Sequence, residues 1–246
     1  MTMRKPKRLS REQLAPYVVE FPREYPHSST TTETETETEV GGSLRSPRRD
    51  LVVAATEGSQ PLHWPTLFGN SNPVEIEVGF GKGLFLVTTG AANPDRNYFG
   101  VDIIRKYQMY AATRVAGRAL PNVKTCCDDA KRVLREFVPA DSVAVVHVYF
   151  PDPWWKSRHK KRLLFTAEFA ELVLRVLTPG GHLKFVTDVR DYFEMVTELL
   201  AGVPAFRPLP PPPETEPTHD MDYLTNFERK FRREGRPIHR SEYAKG

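Results

Sequence analysis

Glu77-Val-Gly-Phe-Gly-Lys-Gly is the first stretch whose residue types and spacing can do chemistry: a carboxylate stands two residues ahead of glycines at 79, 81 and 83. Glycines let a backbone turn tightly and approach a nucleotide-like ligand, although a plain Gly-rich turn has the same composition. The spacing departs from the dinucleotide pattern GxGxxG, which needs glycine where Leu84 stands. Asp102, just after Asn97–Val101, can accept from the two hydroxyls of a ribose or cap a helix. Asp129, in Cys127-Asp128-Asp129-Ala130, can hold an exocyclic ring amine or cap the helix that follows. Pro151-Asp152-Pro153-Trp154-Trp155-Lys156 sets a carboxylate between two prolines, which stiffen the loop and remove two N–H donors. Its indoles can stack on a base or pack on the core. Lys156–Arg162 (KSRHKKR) then carries five cations and no acid, a composition that suits phosphate contact or a solvated face.

Two stretches lie further along. Asp188, in Thr187-Asp188-Val-Arg-Asp-Tyr192, can bind a base edge or a cation, or cap the next helix. Leu224-Thr225-Asn226-Phe227-Glu228 opens a segment rich in cations: Arg229, Lys230, Arg232, Arg233, Arg236 and Arg240. Glu228, isolated among them, can hold a substrate amine or pair with Arg232 one turn away. His147 interrupts an apolar run and reads as a satisfied core histidine. Cys126 and Cys127 are adjacent, and neither CxxC nor HExxH occurs, so no metal site is expected.

These residues need elements to position them. Val74, Ile76 and Val78 form a strand-like run directly before the glycines, and Leu84–Ala91 reads as the following helix. The alternation continues through strands at Asn97–Val101, Val123–Cys127, Ser142–Phe150 and His182–Thr187. Helices are expected at Tyr107–Ala119, Ala130–Phe137, Ala167–Leu177 and Asp191–Ala201, the third stopped by Pro179-Gly180-Gly181. Regular alternation predicts an α/β fold, a mostly parallel sheet with helices on both faces. Right-handed crossovers then bring Glu77–Gly83, Asp102, Asp129, Asp152 and Asp188 to one sheet edge, where one crevice can receive them all.

Composition bounds the rest. The 246 residues carry 35 Lys+Arg against 31 Asp+Glu, 39% hydrophobic residues and 22 Pro. Low apolar content with excess proline predicts a packed domain with polar appendages. Residues 1–60 hold a basic arm (Arg4, Lys5, Lys7, Arg8, Arg11) and a Ser/Thr/Glu tract at Ser28–Glu39, and are expected to be disordered. The folded domain is expected over 61–246, beginning near Leu62–Phe68, with a Pro-rich loop at 207–217 and a basic C-terminal segment. Two cysteines exclude a disulfide scaffold and fit a reducing compartment. No apolar run reaches membrane-spanning length, and the basic N-terminus lacks a following apolar stretch, so a cytoplasmic protein is expected.

Together the loops resemble the class I S-adenosylmethionine-dependent methyltransferases, with their Rossmann-like fold. In that class the Gly-rich loop faces the methionine part of the cofactor and the strand-two acid holds its ribose. More specifically, EVGFGKG, YFGVD, CDDA, FPDPWWKSRHKKR, TDVRDY and TNFERKFRREG, in that order between Trp64 and Ile238, resemble the bacterial tRNA (guanine-N7-)-methyltransferases. The resemblance implies S-adenosyl-L-methionine as cofactor, tRNA as partner, and N7 of guanosine 46 in the variable loop as the methyl acceptor. It implies cofactor contacts at Glu77, Gly79, Gly81, Asp102, Asp129 and Asp152, with Asp152 also catalytic. It implies substrate contacts at Lys156, Asp188, Thr225, Asn226, Phe227 and Glu228, and RNA contacts at Arg158, His159, Lys160, Lys161 and Arg162. No metal, membrane or obligate protein partner is implied; monomer and homodimer are both compatible. Leu163 stands where the family often has a second Arg, and the Thr/Glu tract and Pro run are additions. Competing readings are a methyltransferase acting on another RNA or a small molecule, a non-catalytic RNA-binding protein and a nicotinamide oxidoreductase. The two basic clusters weigh against a small-molecule substrate, the intact acidic loops against a non-catalytic module, and Leu84 against a nicotinamide cofactor.

Overall fold

Valine-rich runs bounded by Gly, Pro and Asp become the central strands of one eight-stranded sheet. The structure, a computed structural model, describes residues 9–22, 61–153, 163–210 and 223–246. Strands β2 (Val74–Val78), β3 (Asn97–Asp102), β4 (Val123–Cys127) and β5 (Val143–Tyr149) are almost wholly buried. With β1 (Val18–Val19), β6 (Leu177–Thr187), β7 (Phe206–Leu209) and β8 (His239–Lys245), the order is β1-β4-β3-β2-β5-β6-β8-β7. All pairings are parallel except β6–β8 and β8–β7. Strand order reverses at β2, which lies between β3 and β5. Ligands of open α/β sheets bind at such a switch point, outside the carboxyl ends of the strands.

Helices cover both faces. Helices α2 (Trp64–Phe68), α5 (Ala130–Glu136), α6 (Ala167–Val176) and α7 (Arg190–Ala201) pack with Ile76, Phe99, Val146 and Phe185 in the larger core. Helices α3 (Leu84–Ala92), α4 (Arg105–Ala116) and α8 (Asn226–Arg233) cover the opposite face through Phe85, Ala111, Val115 and Phe231. Each fully buried large apolar side chain stabilises the fold by about 1.5–3 kcal/mol relative to exposure. The mostly parallel α/β fold expected from the alternation is what the chain adopts.

Four details differ from the sequence reading. The fold begins earlier than Leu62: α1 (Arg11–Leu14), closed by a Ser10–Gln13 capping box, leads into β1, which pairs with β4 through Val18 and Val19. The apolar residues Leu14, Val18 and Val19 are too few to stand out between polar neighbours, yet all three are buried. Strand β6 begins at Leu177, not His182. Its register jumps between Val143↔Leu177 and Val145↔His182, with Gly180 at φ 73° absorbing the irregularity. Pro208 lies inside a strand: among the described residues β7 is an edge strand that pairs only with β8, the position where a missing N–H is tolerated. The basic C-terminal segment supplies the antiparallel β8 as well as a helix. The Ser/Thr/Glu tract and most of the Pro run lie outside the described residues.

Candidate functional site

The glycine loop joins the buried end of β2 to α3, and three contacts fix its course. Gly79 donates its N–H to Val101 O at 2.8 Å, Gly81 to Asp102 Oδ2 at 2.8 Å, and the buried Arg114 of α4 donates to Lys82 O at 2.8 Å. Gly81 has φ +51°, and a Cβ there would meet nothing within 4 Å, so the loop leaves open space over its backbone. Gly83 is glycine for another reason: at φ +65°, a Cβ would stand 2.6 Å from Ala111 Cβ, so α4 can lie against the loop only without one.

A cavity of about 340 Å³ opens over this loop. Its wall includes Glu77, Gly79, Gly81, Phe85, Tyr107 and Tyr149, and α8 closes it with Thr225, Asn226 and Phe227. Arg229 and Lys230 bring two cations to the same wall. Glu77 is 2% exposed, and its Oε2 has no hydrogen-bond partner among the described residues. Burial, with the Asp102 carboxylate adding, pushes the Glu77 carboxyl well above the usual carboxylate range. A buried acceptor without a donor costs about 1–3 kcal/mol, which a ligand supplying that donor recovers.

The other acids divide by occupation. Asp102 accepts from Gly81 N on one oxygen and from Ile104 N, also at 2.8 Å, on the other. Burial raises its pKa against those two bonds, and nearby Asp152 raises it further. Asp102 therefore shapes the glycine loop while keeping lone pairs for a hydroxyl. The exposed Asp129 caps α5, its Oδ1 accepting from Arg132 N at 3.1 Å. Asp152 is exposed and makes no hydrogen bond or ion pair with another described residue. The residue before its Pro-Asp-Pro loop, Phe150, has φ 52°, a backbone conformation that costs a bulky side chain about 1–3 kcal/mol. It is held there by donation from Phe150 N to Val186 O at 2.7 Å and by packing against Phe231.

Of the predicted acids only Glu77 lines the cavity; Asp102, Asp129 and Asp152 stand outside its wall, as do Asp188 and Glu228, which are committed to cations. Asp188 pairs with Arg236 and caps nothing, the N-cap of α7 being Val189. Glu228, 5% exposed, accepts from Arg232 Nε at 3.1 Å, Arg240 Nη2 at 2.8 Å and Leu224 N at 2.6 Å. The pairing with Arg232 allowed by their spacing is thus the one adopted, with a second Arg that sequence spacing did not indicate. Thr225 caps α8 and Asn226 Oδ1 accepts from Arg229 at 3.2 Å, while Phe227 stays 51% exposed. Trp154, Trp155, Lys156, Arg158, His159, Lys160, Lys161 and Arg162 lie outside the described residues. Leu163 packs against the larger core.

Sequence reasoning missed Phe85, Tyr107 and Tyr149 in the wall, and the exposed Ile103 and Ile104 after β3. A signal for Tyr149 was present. Glu75 and Glu77 alternate on β2, and His147 and Tyr149 alternate on β5, so polar residues recur with strand period on one face. His147 is satisfied, as expected, by Glu75 and Tyr149. Among the described residues there is no cluster suited to a metal ion, and no helix is long and apolar enough to cross a membrane.

Comparison with known proteins covers most of the chain. A family model described as "Putative methyltransferase" matches residues 71–241. The tRNA (guanine-N(7)-)-methyltransferase of Rhodopirellula baltica is 45% identical over 186 residues, 73% of this chain and 69% of the relative. That of Geobacter metallireducens is 36% identical over 189 residues, 77% of this chain and 90% of the relative. Among solved structures, the 16S rRNA methyltransferase KamB superposes with a TM-score of 0.56 at 17% identity, covering 74% of this chain and 92% of that one. An antibiotic-related methyltransferase gives 0.55 at 17% identity, covering 78% and 98%. At these identities the structural likeness speaks to the fold.

Proposed function

This chain belongs to the tRNA (guanine-N7-)-methyltransferase family, and on that premise we propose that its residues carry a methyl group from S-adenosyl-L-methionine to N7 of guanosine 46 in the tRNA variable loop. It is an S-adenosylmethionine-dependent tRNA methyltransferase. The residues present fit the donor. The loop backbone at Gly79 and Gly81 is open to a ligand, and Glu77 Oε2 has no partner among the described residues; a positive charge bound beside it would offset the burial that raises its pKa. When bound, the donor supplies an electrophilic methyl on a sulfonium.

Guanine N7 has a free lone pair and no proton, so no general base is needed before attack. The protein's task is to hold the base and the donor in line, which contributes several kcal/mol to lowering the barrier. In our reading Glu77, Gly79, Gly81, Asp102 and Asp129 hold the donor, with Asp102 accepting from the ribose. Asp152 borders the donor and accepts from the Watson–Crick edge of the guanine. With Asp188 and Glu228 committed to arginines, Asp152 is the acid best suited to that edge. The exposed Phe227 offers a face for base stacking, and Thr225 and Asn226 flank it. Asp188 and Glu228 then act on the substrate by fixing the arginines around it, and Lys156 joins the substrate contacts. Taking the base out of its tertiary setting costs a few kcal/mol, which phosphate contacts from Arg158, His159, Lys160, Lys161, Arg162 and the cationic face of α8 offset. A tRNA substrate also favours a cytoplasmic location.

The observation that carries this reading is the glycine-floored cavity with, in its wall, a buried Glu77 oxygen that has no partner among the described residues, and a cationic helix at its side. Incubation with methyl-labelled S-adenosylmethionine and an unmodified tRNA transcript should transfer label to the RNA. A transcript with guanosine 46 changed to adenosine should take up almost none. Equal labelling of the two transcripts would overturn the position; labelling of neither would overturn the substrate.

A further inference from the structure

A chain of polar side chains, buried at Tyr149, His147 and Glu75 and ending at the half-exposed Arg96, runs from the cavity wall through the sheet, and none of the steps above uses it. Tyr149, in the wall with Glu77, has its hydroxyl 2.6 Å from His147 Nδ1. His147 Nε2 lies 2.7 Å from Glu75 Oε2, and Arg96 donates to Glu75 Oε1 at 2.7 Å. The register assembles it: Glu75 faces Val145 and Glu77 faces His147, so Glu75, Glu77, His147 and Tyr149 share one face of adjacent strands. Phe85 of α3 covers that face, its ring centroid 4.6 Å from His147 and 5.2 Å from Tyr149.

The direction of each hydrogen bond follows. Burial alone would raise the Glu75 pKa, but the hydrogen bonds from His147 and Arg96, with the Arg96 charge, outweigh it and hold the group as a carboxylate. Glu75 therefore accepts, and His147 Nε2 carries the hydrogen. Burial lowers the His147 pKa against the pull of Glu75, leaving a neutral ring with a bare Nδ1. Burial raises the Tyr149 pKa well above its usual value, with Glu77 adding, so the phenol keeps its proton and donates it to Nδ1. The Tyr149 oxygen then has only lone pairs left for any other contact. Its neighbour in the wall, Glu77 Oε2, is likewise an acceptor awaiting a donor. Two acceptor residues lining one cavity suit an alkylammonium, which offers three N–H donors and no acceptor.

We propose that Arg96, Glu75 and His147 form a positioning relay that fixes Tyr149 as an acceptor, so that Tyr149 and Glu77 together recognise the α-ammonium of the bound methyl donor. The inference rests on the reading that the cavity holds S-adenosylmethionine. Titration calorimetry of the full chain with two probes tests it: S-adenosylhomocysteine carries the ammonium, and 5′-methylthioadenosine lacks the whole amino-acid portion. Tyr149→Phe should weaken S-adenosylhomocysteine about ten-fold, the scale of one charge-assisted hydrogen bond, and leave methylthioadenosine within two-fold. His147→Leu should give the same split, because the Tyr149 hydroxyl is then no longer held as an acceptor, and the double variant should lose no more than either single one, both acting through the same oxygen. Unchanged methylthioadenosine binding also reports that each variant is folded. Equal weakening of both probes would make the relay mere structural support and overturn the proposal, as would unchanged binding of both. If the wild-type chain bound neither probe, the donor reading itself would fall.

Discussion

Replacing Asp152 by alanine should lower kcat/KM for tRNA methylation by at least about a hundred-fold, the scale on which misplacing a reacting partner by an ångström is felt. Affinity for tRNA should stay within a few-fold of wild type. The expectation follows from what the neighbouring acids already do. Both oxygens of Asp102 receive loop N–H groups, Asp129 caps α5, and Asp188 and Glu228 are paired with arginines. Asp152 makes no hydrogen bond or ion pair with another described residue, is exposed, and stands close enough to Asp102 to raise that group's pKa. The prolines on either side fix their own φ near −65°, so the loop backbone that carries the carboxylate is stiff before the base arrives. Losing it leaves the guanine edge without an acceptor, while the cationic contacts that dominate RNA affinity persist. Single-turnover methylation measured alongside filter binding separates the two effects. Turnover within a few-fold of wild type would remove Asp152 from the reaction.

Glu228→Ala should act through the fold rather than by removing a direct substrate contact. The carboxylate ties Arg232 of α8, Arg240 of β8 and the N–H of Leu224 into one buried knot, with the Arg240 side chain only 12% exposed. Removing one partner of such a knot leaves charges in a poorly solvated place, at a cost of about 3–5 kcal/mol. In a domain of this size that corresponds to a fall in melting temperature of roughly 6–20 °C. Because α8 forms one side of the cavity, donor affinity should fall in parallel. Thermal unfolding followed by calorimetry gives the answer. An unchanged melting temperature with a raised KM for tRNA would show instead that Glu228 contacts the substrate directly.

The glycine loop and the acids at the strand ends were readable because local rules govern them. Five alternating strand–helix units force their loops to one edge, and Glu77, Gly79 and Gly81 meet there in the cavity wall. What sequence could not supply was the partner of each charge. Glu228 and Arg240 lie 12 positions apart, and Glu75 and His147 lie 72 apart; only the β6–β8 and β2–β5 pairings bring them together. The same limit hid β1, whose two valines are meaningful only against the edge of β4. The β7 strand was hidden by its proline, which pattern reading treats as a breaker and an outermost strand accepts.

Methylation at N7 leaves a chemical mark that methylation at other guanine atoms does not: borohydride reduction followed by aniline cleaves the RNA strand at that nucleotide. A tRNA transcript incubated with the protein and S-adenosylmethionine, then carried through this treatment, should break at guanosine 46 alone, and should stay intact when either protein or donor is omitted. Label entering the tRNA without strand cleavage, or cleavage at any other guanosine, would contradict the assignment.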